Sequence, residues 1–296
     1  MTTATFKYID PSSYNPHATK PFEKPWSKVD GPGYSYRLID HECPVRNLRG
    51  QESAFSIDNA GFAVYHHPAK EVAFTDDEQV RTGYYAEVEE LLRTKLPGVA
   101  KVVIFDHTIR RRVEGSARSP VQLVHVDQTP RAAETRVRRH VADSEAETLL
   151  GRRYQIINVW RAIQNPAADC PLGVIDWRST RPSDYVAVDL LYPKGFREGG
   201  EVAPDPDSAQ STDGYEVQGE TYAIAPNEKH HFYYLKDMAP EEVMLIKCFD
   251  SRSKTMTGGQ TDIAHGAAHS AFVDPNTPAG SPARQSIEVR CLVFYD

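Results

Sequence analysis

Short apolar runs separated by turn residues dominate this chain, and one stretch carries a clear helical period. From Thr75, acids precede Val80, Tyr84, Val88, Leu91 and Leu92, which recur at helical spacing until Leu96-Pro97-Gly98 ends the pattern. Thr75 and Glu78 have capping-box spacing, and acids suit a first helical turn. The other periodic segments read as strands. Val102 to Phe105 is a short buried run. Val121 to Asp127 places Leu123, His125 and Asp127 on one face, and Tyr154 to Trp160 groups Tyr154, Ile156, Asn158 and Trp160. Tyr185 to Leu191, Glu220 to Ala225, His231 to Leu235, Val243 to Phe249 and Ile287 to Phe294 complete the set. About eight strands and one good helix predict a mainly β protein with flanking helices around a double-stranded β-helix (jelly-roll, cupin-like) core.

The punctuation between these segments gives the organisation. Pro11, Pro16, Pro21, Pro25 and Pro32 break any long element in residues 1–50, which read as an extended N-terminal arm laid over the core. Residues 195–219, 254–259 and 276–283 read as surface loops. No internal repeat is visible, and residues 1–296 are expected to form a single domain.

Composition narrows the partners. The net charge of -7 gives no footprint for a nucleic-acid backbone, and the basic runs Arg110 to Arg112 and Arg136 to His140 read as solvated faces or loops. No segment approaches the roughly 20 apolar residues of a membrane span, and the N-terminus lacks a signal-peptide layout. Cys43, Cys170, Cys248 and Cys291 are scattered without CxxC spacing, which argues against disulfides or a thiolate zinc site and points to a reducing, cytoplasmic setting.

The chemistry-bearing residues begin with His125-Val126-Asp127. On a strand, positions i and i+2 point the same way, so an imidazole and a carboxylate converge from one side. A remote histidine would complete a 2-His-1-carboxylate set, which suits iron(II) because it leaves one face open. By itself a His-x-Asp also serves in structural hydrogen bonds. His265 and His269, in Ala264 to Phe272, are both placed to close the set. Arg284-Gln285-Ser286 opens the last strand and offers a planar fork plus a hydroxyl, a carboxylate clamp; Arg290 is its rival, since a strand already running at Arg284 would put both on one face.

Taken in order, these motifs resemble a known family. Pro44-Val45-Arg46-Asn47-Leu48-Arg49-Gly50, His125-Val126-Asp127-Gln128, Asn158-Val159-Trp160-Arg161, Glu220 to Tyr234, Lys247-Cys248-Phe249-Asp250-Ser251-Arg252, His269-Ser270-Ala271-Phe272-Val273-Asp274-Pro275 and Arg284 to Arg290 are similar to the fungal and bacterial Fe(II)/2-oxoglutarate-dependent oxygenases typified by gibberellin desaturase, aspergillic-acid hydroxylase/desaturase and the cephamycin 7-alpha-methoxylase partner protein. The resemblance spans roughly Cys43 to the C-terminus. It implies His125, Asp127 and His269 as iron ligands, with His269 preferred over His265 because Ser-Ala-Phe-x-Asp-Pro follows it. It also implies Arg284 with Ser286 as clamp for the distal carboxylate of 2-oxoglutarate, with Arg290 as the alternative.

The resemblance further implies Fe(II), 2-oxoglutarate and O2 as cofactor and co-substrates, with no catalytic residues beyond the metal ligands. The expected reaction hydroxylates or desaturates a C–H bond of a medium-sized natural product. Asn158, Trp160, Arg161 and His231 are candidate substrate contacts, although alternation sets Arg161 against Asn158 and Trp160. Two other classes would suit the same fold: a non-catalytic cupin-like binding protein, and a metal-dependent isomerase or hydrolase, which would need no dicarboxylate clamp.

Overall fold

A strand covered on both faces carries apolar side chains at every position, and one with a single covered face alternates. Both kinds occur here. The computed structural model describes residues 1–29, 33–111, 120–195, 209–253, 256 and 258–296. Its strands are β1 (Thr2–Ile9), β2 (Trp26–Lys28), β3 (Leu38–Asn47), β4 (Phe62–His66), β5 (Val99–Arg111), β6 (His125–Val126), β7 (Tyr154–Ala162), β8 (Leu172–Ile175), β9 (Tyr185–Pro193), β10 (Tyr215–Ile224), β11 (Phe232–Tyr234), β12 (Glu242–Asp250), β13 (His269–Ala271) and β14 (Gln285–Tyr295). They form a nine-stranded sheet, β1-β3-β11-β8-β13-β6-β10-β9-β2, and a five-stranded sheet, β4-β12-β7-β14-β5. Pairing is antiparallel except between β3 and β11 and between β2 and β9.

The two sheets pack face to face. Phe6, Tyr8, Val45 and Val126 from the larger sheet meet Tyr154, Ile156, Leu292 and Phe294 from the smaller. The outer face of the smaller sheet, with Ile157, Val159, Ile287 and Val289, is covered by Val88, Leu91 and Leu92 of α2 (Tyr85–Lys95). β7 lies between these layers and is buried at all nine positions. Its even-numbered residues face the sheet interior and its odd-numbered residues face the helix. This is the mainly β, jelly-roll architecture that the strand pattern predicts.

Several segments differ from the sequence reading. Residues 1–50 are extended, but they are woven into the sheet: β1 pairs with β3 along its whole length, burying Thr2, Ala4, Phe6 and Tyr8. The helix cap is Asp76, whose side chain accepts from the backbone of Glu78 and Gln79, so the Thr75–Glu78 box is not what starts it. One turn, Asp77–Gln79 (α1), is followed by a π turn, Val80–Tyr84, before α2. Two helices escaped the periodicity, α3 (Pro130–His140) and α4 (Asp143–Leu150). α3 carries the basic run Arg136 to His140, on a helix that buries only Ala132, Ala133 and Val137. The expected strand over Val121 to Asp127 contracts to β6, while the Val124 N–H donates to the Lys7 carbonyl of β1. The loop expected at 195–219 ends early, because β10 begins at Tyr215. Arg112, residues 196–208, and Lys254, Thr255 and Thr257 of the expected loops lie outside the described residues.

Arg161 is the clearest case of parity deciding a role. On the helix-facing side of β7 it is 2% exposed, and its Nε donates to the Tyr84 hydroxyl at 3.0 Å and one terminal nitrogen to the Pro240 carbonyl at 2.6 Å. A Tyr84→Phe variant leaves a buried guanidinium short of one acceptor and is expected to lose about 1–3 kcal/mol of stability. Urea unfolding followed by far-UV circular dichroism measures it, and an unchanged midpoint would refute the pairing as a stabilising contact.

Candidate metal centre

β6 and β13 are neighbours in the larger sheet, and His125 and His269 are direct cross-strand partners. Side chains opposite each other on antiparallel strands share a face, and the two imidazole rings lie 4.5 Å apart between centroids. Asp127 follows β6, and its Oδ1 sits 3.2 Å from His125 Nε2 and 3.8 Å from His269 Nε2. One ligand atom from each of the three residues lies within 4.8 Å of the others.

Each imidazole is turned by a backbone carbonyl two residues before it. His125 Nδ1 contacts the Leu123 carbonyl at 2.7 Å, and His269 Nδ1 contacts the Ala267 carbonyl at 3.1 Å. A carbonyl can only accept, so in the neutral rings Nδ1 carries the proton and donates, leaving the Nε2 lone pair toward Asp127. The segment before His269 lies flush against its neighbours: a Cβ at Gly266 would stand 3.0 Å from Val126 Cγ1 and 3.2 Å from the Cys248 carbonyl oxygen.

The second oxygen of Asp127 is held from the other sheet. Oδ2 accepts from Asn158 Nδ2 at 2.7 Å and from Arg290 Nε at 3.2 Å. Arg290 also donates to Asp106 at 3.1 Å, Thr108 at 3.1 Å and Glu288 at 2.7 Å. Burial penalises the Asp127 carboxylate, but His125, Arg290 and His269 together hold its pKa well below the ordinary value. Burial also works against a charged His125, and the Asp127 carboxylate raises its pKa nonetheless. At His269, burial and the neighbouring His125 lower the pKa. Once a metal takes the place of the proton that Asp127 favours on His125, the arrangement offers two imidazole nitrogens and one anionic oxygen to a common point, the donor set of a 2-His-1-carboxylate iron(II) site.

A cavity opens beside this point, walled by His125, Asp127, His269, Trp160, Arg284 and Ser286. Arg284 is 3% exposed, lies 5.4 Å from the Trp160 ring centre and donates one terminal nitrogen to the Cys170 carbonyl at 2.8 Å. Its buried Nε has no hydrogen-bond partner among the described residues, and burial lowers its pKa. A buried cation with an unfilled donor facing a cavity is the condition for capturing an anion.

The sequence reading placed eleven residues at or near this site, and the geometry sorts them. His125, Asp127 and His269 converge; Arg284, Ser286, Arg290 and Trp160 line the cavity. Asn158 is fully buried and acts on Asp127. Arg161 points away to Tyr84. His231 is exposed, and its backbone N–H donates to Ser179 Oγ at 3.0 Å, away from the cavity. His265 is also elsewhere: its Nδ1 accepts from Trp177 Nε1 at 2.9 Å and its ring packs on Tyr185. Arg290, the rival clamp, has its guanidinium among four oxygen partners. The acids Asp106 and Glu288 that balance Arg290 were not anticipated. Ser286, Glu288 and Arg290 alternate along an otherwise apolar strand, and that signal was available.

A curled double sheet holding two histidines and an aspartate on its inner face, with a buried arginine across a small cavity, defines a non-heme iron oxygenase of the 2-oxoglutarate-dependent class. Residues 6–294 match the family model described as "Oxidoreductase/YMDC permease-like domain". The hydroxylase/desaturase poxK of Penicillium oxalicum is 32% identical over 265 residues, 85% of this chain and 78% of that protein. The alpha-ketoglutarate-dependent dioxygenase phiK of a fungal species is 30% identical, covering 85% of this chain and 83% of that one. The solved structure of the iron and alpha-ketoglutarate-dependent endoperoxidase NvfI superposes with a TM-score of 0.77 at 25% identity, over 99% of this chain and 97% of that one. The chain belongs to the hydroxylase/desaturase family of Fe(II)/2-oxoglutarate-dependent dioxygenases.

Asn158 provides a test of how the carboxylate is held. An Asn158→Leu variant removes one of the two donors on Asp127 Oδ2 and is expected to weaken divalent-metal binding about 10- to 100-fold, with the far-UV spectrum unchanged. Anaerobic titration with Fe(II) reads the affinity; unaltered binding would show that Arg290 alone fixes the carboxylate.

Proposed function

We propose that His125, Asp127 and His269 hold Fe(II), and that Arg284 with Ser286 holds the distal carboxylate of 2-oxoglutarate, in a single oxygenase domain spanning residues 1–296. The enzyme hydroxylates or desaturates a C–H bond of a medium-sized natural product, with O2 as oxidant. The observation that carries this reading is the buried Arg284, whose Nε has no partner among the described residues and whose side chain lines the same cavity as the three proposed ligands. A metal-dependent hydrolase or isomerase needs no dicarboxylate co-substrate to fill it.

When bound, iron with 2-oxoglutarate and O2 supplies oxidative decarboxylation to succinate and CO2 and the power to remove hydrogen from an unactivated carbon. The chain's own residues do the rest. The Leu123 and Ala267 carbonyls fix the histidine tautomers. Asn158 and Arg290 reserve one oxygen of Asp127, so that Oδ1 is the oxygen offered to the metal. Trp160, 3% exposed, keeps water from the Arg284 guanidinium and stacks on it. The substrate is a small molecule, with no part for nucleic acid. Among the described residues no helix is long and apolar enough to cross a membrane. The four buried cysteines form no disulfide, which supports a reducing, cytoplasmic setting.

Arg284→Gln is expected to retain Fe(II) and to weaken 2-oxoglutarate binding by about 30-fold or more, the scale for removing one partner of a buried charge pair. Calorimetry of 2-oxoglutarate into the anaerobic Fe(II) protein checks this, and undiminished affinity would reject Arg284 as the clamp. His269→Asn is expected to abolish stoichiometric Fe(II) binding and succinate release, whereas His265→Asn keeps the metal. The opposite pattern in metal analysis would transfer the ligand assignment to His265.

A further inference from the structure

Arg284, Ser286, Glu288 and Arg290 stand at alternate positions where the last strand begins, and all four line the cavity beside the three proposed ligands. The start of β14 thus sets two arginines on one space that is to receive a dianion. Either could hold the far carboxylate of a dicarboxylic keto acid, and the keto acid would lie differently in each case. What separates the two arginines is how their donors are filled.

A guanidinium has five N–H donors. On Arg290, Nε donates to Asp127 at 3.2 Å, Nη1 to Asp106 and Thr108 at 3.1 Å each, and Nη2 to Glu288 at 2.7 Å. Of these partners, Glu288 is the one that stands between the two arginines in the strand. Arg284 is the reverse case. Its Nη1 donates to the Cys170 carbonyl at 2.8 Å, and its buried Nε has no partner among the described residues. Arg110, a third arginine on this cavity, lies opposite Ser286 on β5 and has a partner of its own.

Building on the assignment of Arg284 as the clamp, we propose that Glu288 is a positioning residue for the co-substrate: it occupies Nη2 of Arg290 and so directs the far carboxylate of 2-oxoglutarate to Arg284. Discrimination between two fits comes as much from closing one as from improving the other. A carboxylate already bonded to Nη2 fills the donor and repels a second carboxylate at the same place. Glu288 takes no part in the chemistry; it decides where the keto acid lies.

The test is a rescue, read by calorimetry of 2-oxoglutarate into the anaerobic Fe(II) protein. Arg284→Gln/Glu288→Ala vacates the place beside Arg290. It is expected to regain about fivefold or more of the affinity that Arg284→Gln loses, within the range of coupling between neighbouring residues. Glu288→Thr in the same background also vacates that place, suits a strand, and carries the measurement if the alanine variant does not fold. Arg284→Gln/Glu288→Gln loses the charge but keeps an oxygen for Nη2, so its affinity is expected to stay near that of Arg284→Gln. 2-Oxovalerate, which lacks the far carboxylate, is expected to gain nothing in any of these variants.

Absence of a regain in the vacated variants would overturn the inference. An equal regain with Glu288→Gln would do the same, since it would mark loss of charge alone, and so would an equal regain for 2-oxovalerate. Undiminished affinity in Arg284→Gln by itself is a different failure, which rejects the clamp and this inference with it. A loss there without rescue removes the role of Glu288 alone.

Discussion

One carboxylate joins the two sheets. Asp127 comes from the end of β6 in the larger sheet, and its Oδ1 faces histidines carried by that sheet. Its Oδ2 is held by Asn158 and Arg290, both from the smaller sheet. A buried charge is tolerated only where its surroundings replace the water it has lost. Here four partners from two sheets do so, and they tie the sheets together at the candidate metal centre.

The compensation extends outward in both directions. Arg290 shares Asp127 with the histidines, and Asp106 and Glu288 add to its compensation while Thr108 fills a remaining donor. On the other side of Asp127, Thr129 caps α3 by accepting from the Ala132 N–H, while its hydroxyl proton goes to Glu220. Lys24 of the N-terminal region then bridges Glu220 and Asp189. Acids and bases alternate from the metal centre to the chain's N-terminal segment. Arg284 stands apart from this series: it faces Trp160 and a carbonyl where the others face carboxylates.

Legibility in the sequence followed the number of faces that are buried. β7 and β14 have both faces covered and read as strands at once, and α2 showed itself by the spacing of Val88, Leu91 and Leu92. β1 was missed because its buried positions include Thr2 and Ala4, which carry little hydropathy. β8 and β13 are too short, at four and three residues, to show a period. α3 was hidden because alanines make most of its buried stripe, although Thr129 and Pro130 form a good start signal. The convergence of His125, Asp127 and His269 and the place of Arg284 on the same cavity could be anticipated because each sits in a motif or opens a strand. The part played by Asn158 could not be read, since which side chain meets which across two sheets is a property of their packing. Arg161 and His231 went the other way: adjacency in sequence to plausible pocket residues did not survive strand parity and sheet position.

The pairing of His125 with His269 also orders events during synthesis. Two strands that are direct neighbours in the sheet are separated by 144 positions in the chain. Arg284, Glu288 and Arg290 come later still. On the proposed assignment, a ribosome-bound chain that has exposed His125 and Asp127 would offer a metal only two ligands, with no Arg290 to steady the carboxylate. It would also lack Arg284, the proposed seat of the keto acid, so the complete candidate site would form only when the last strand is in place.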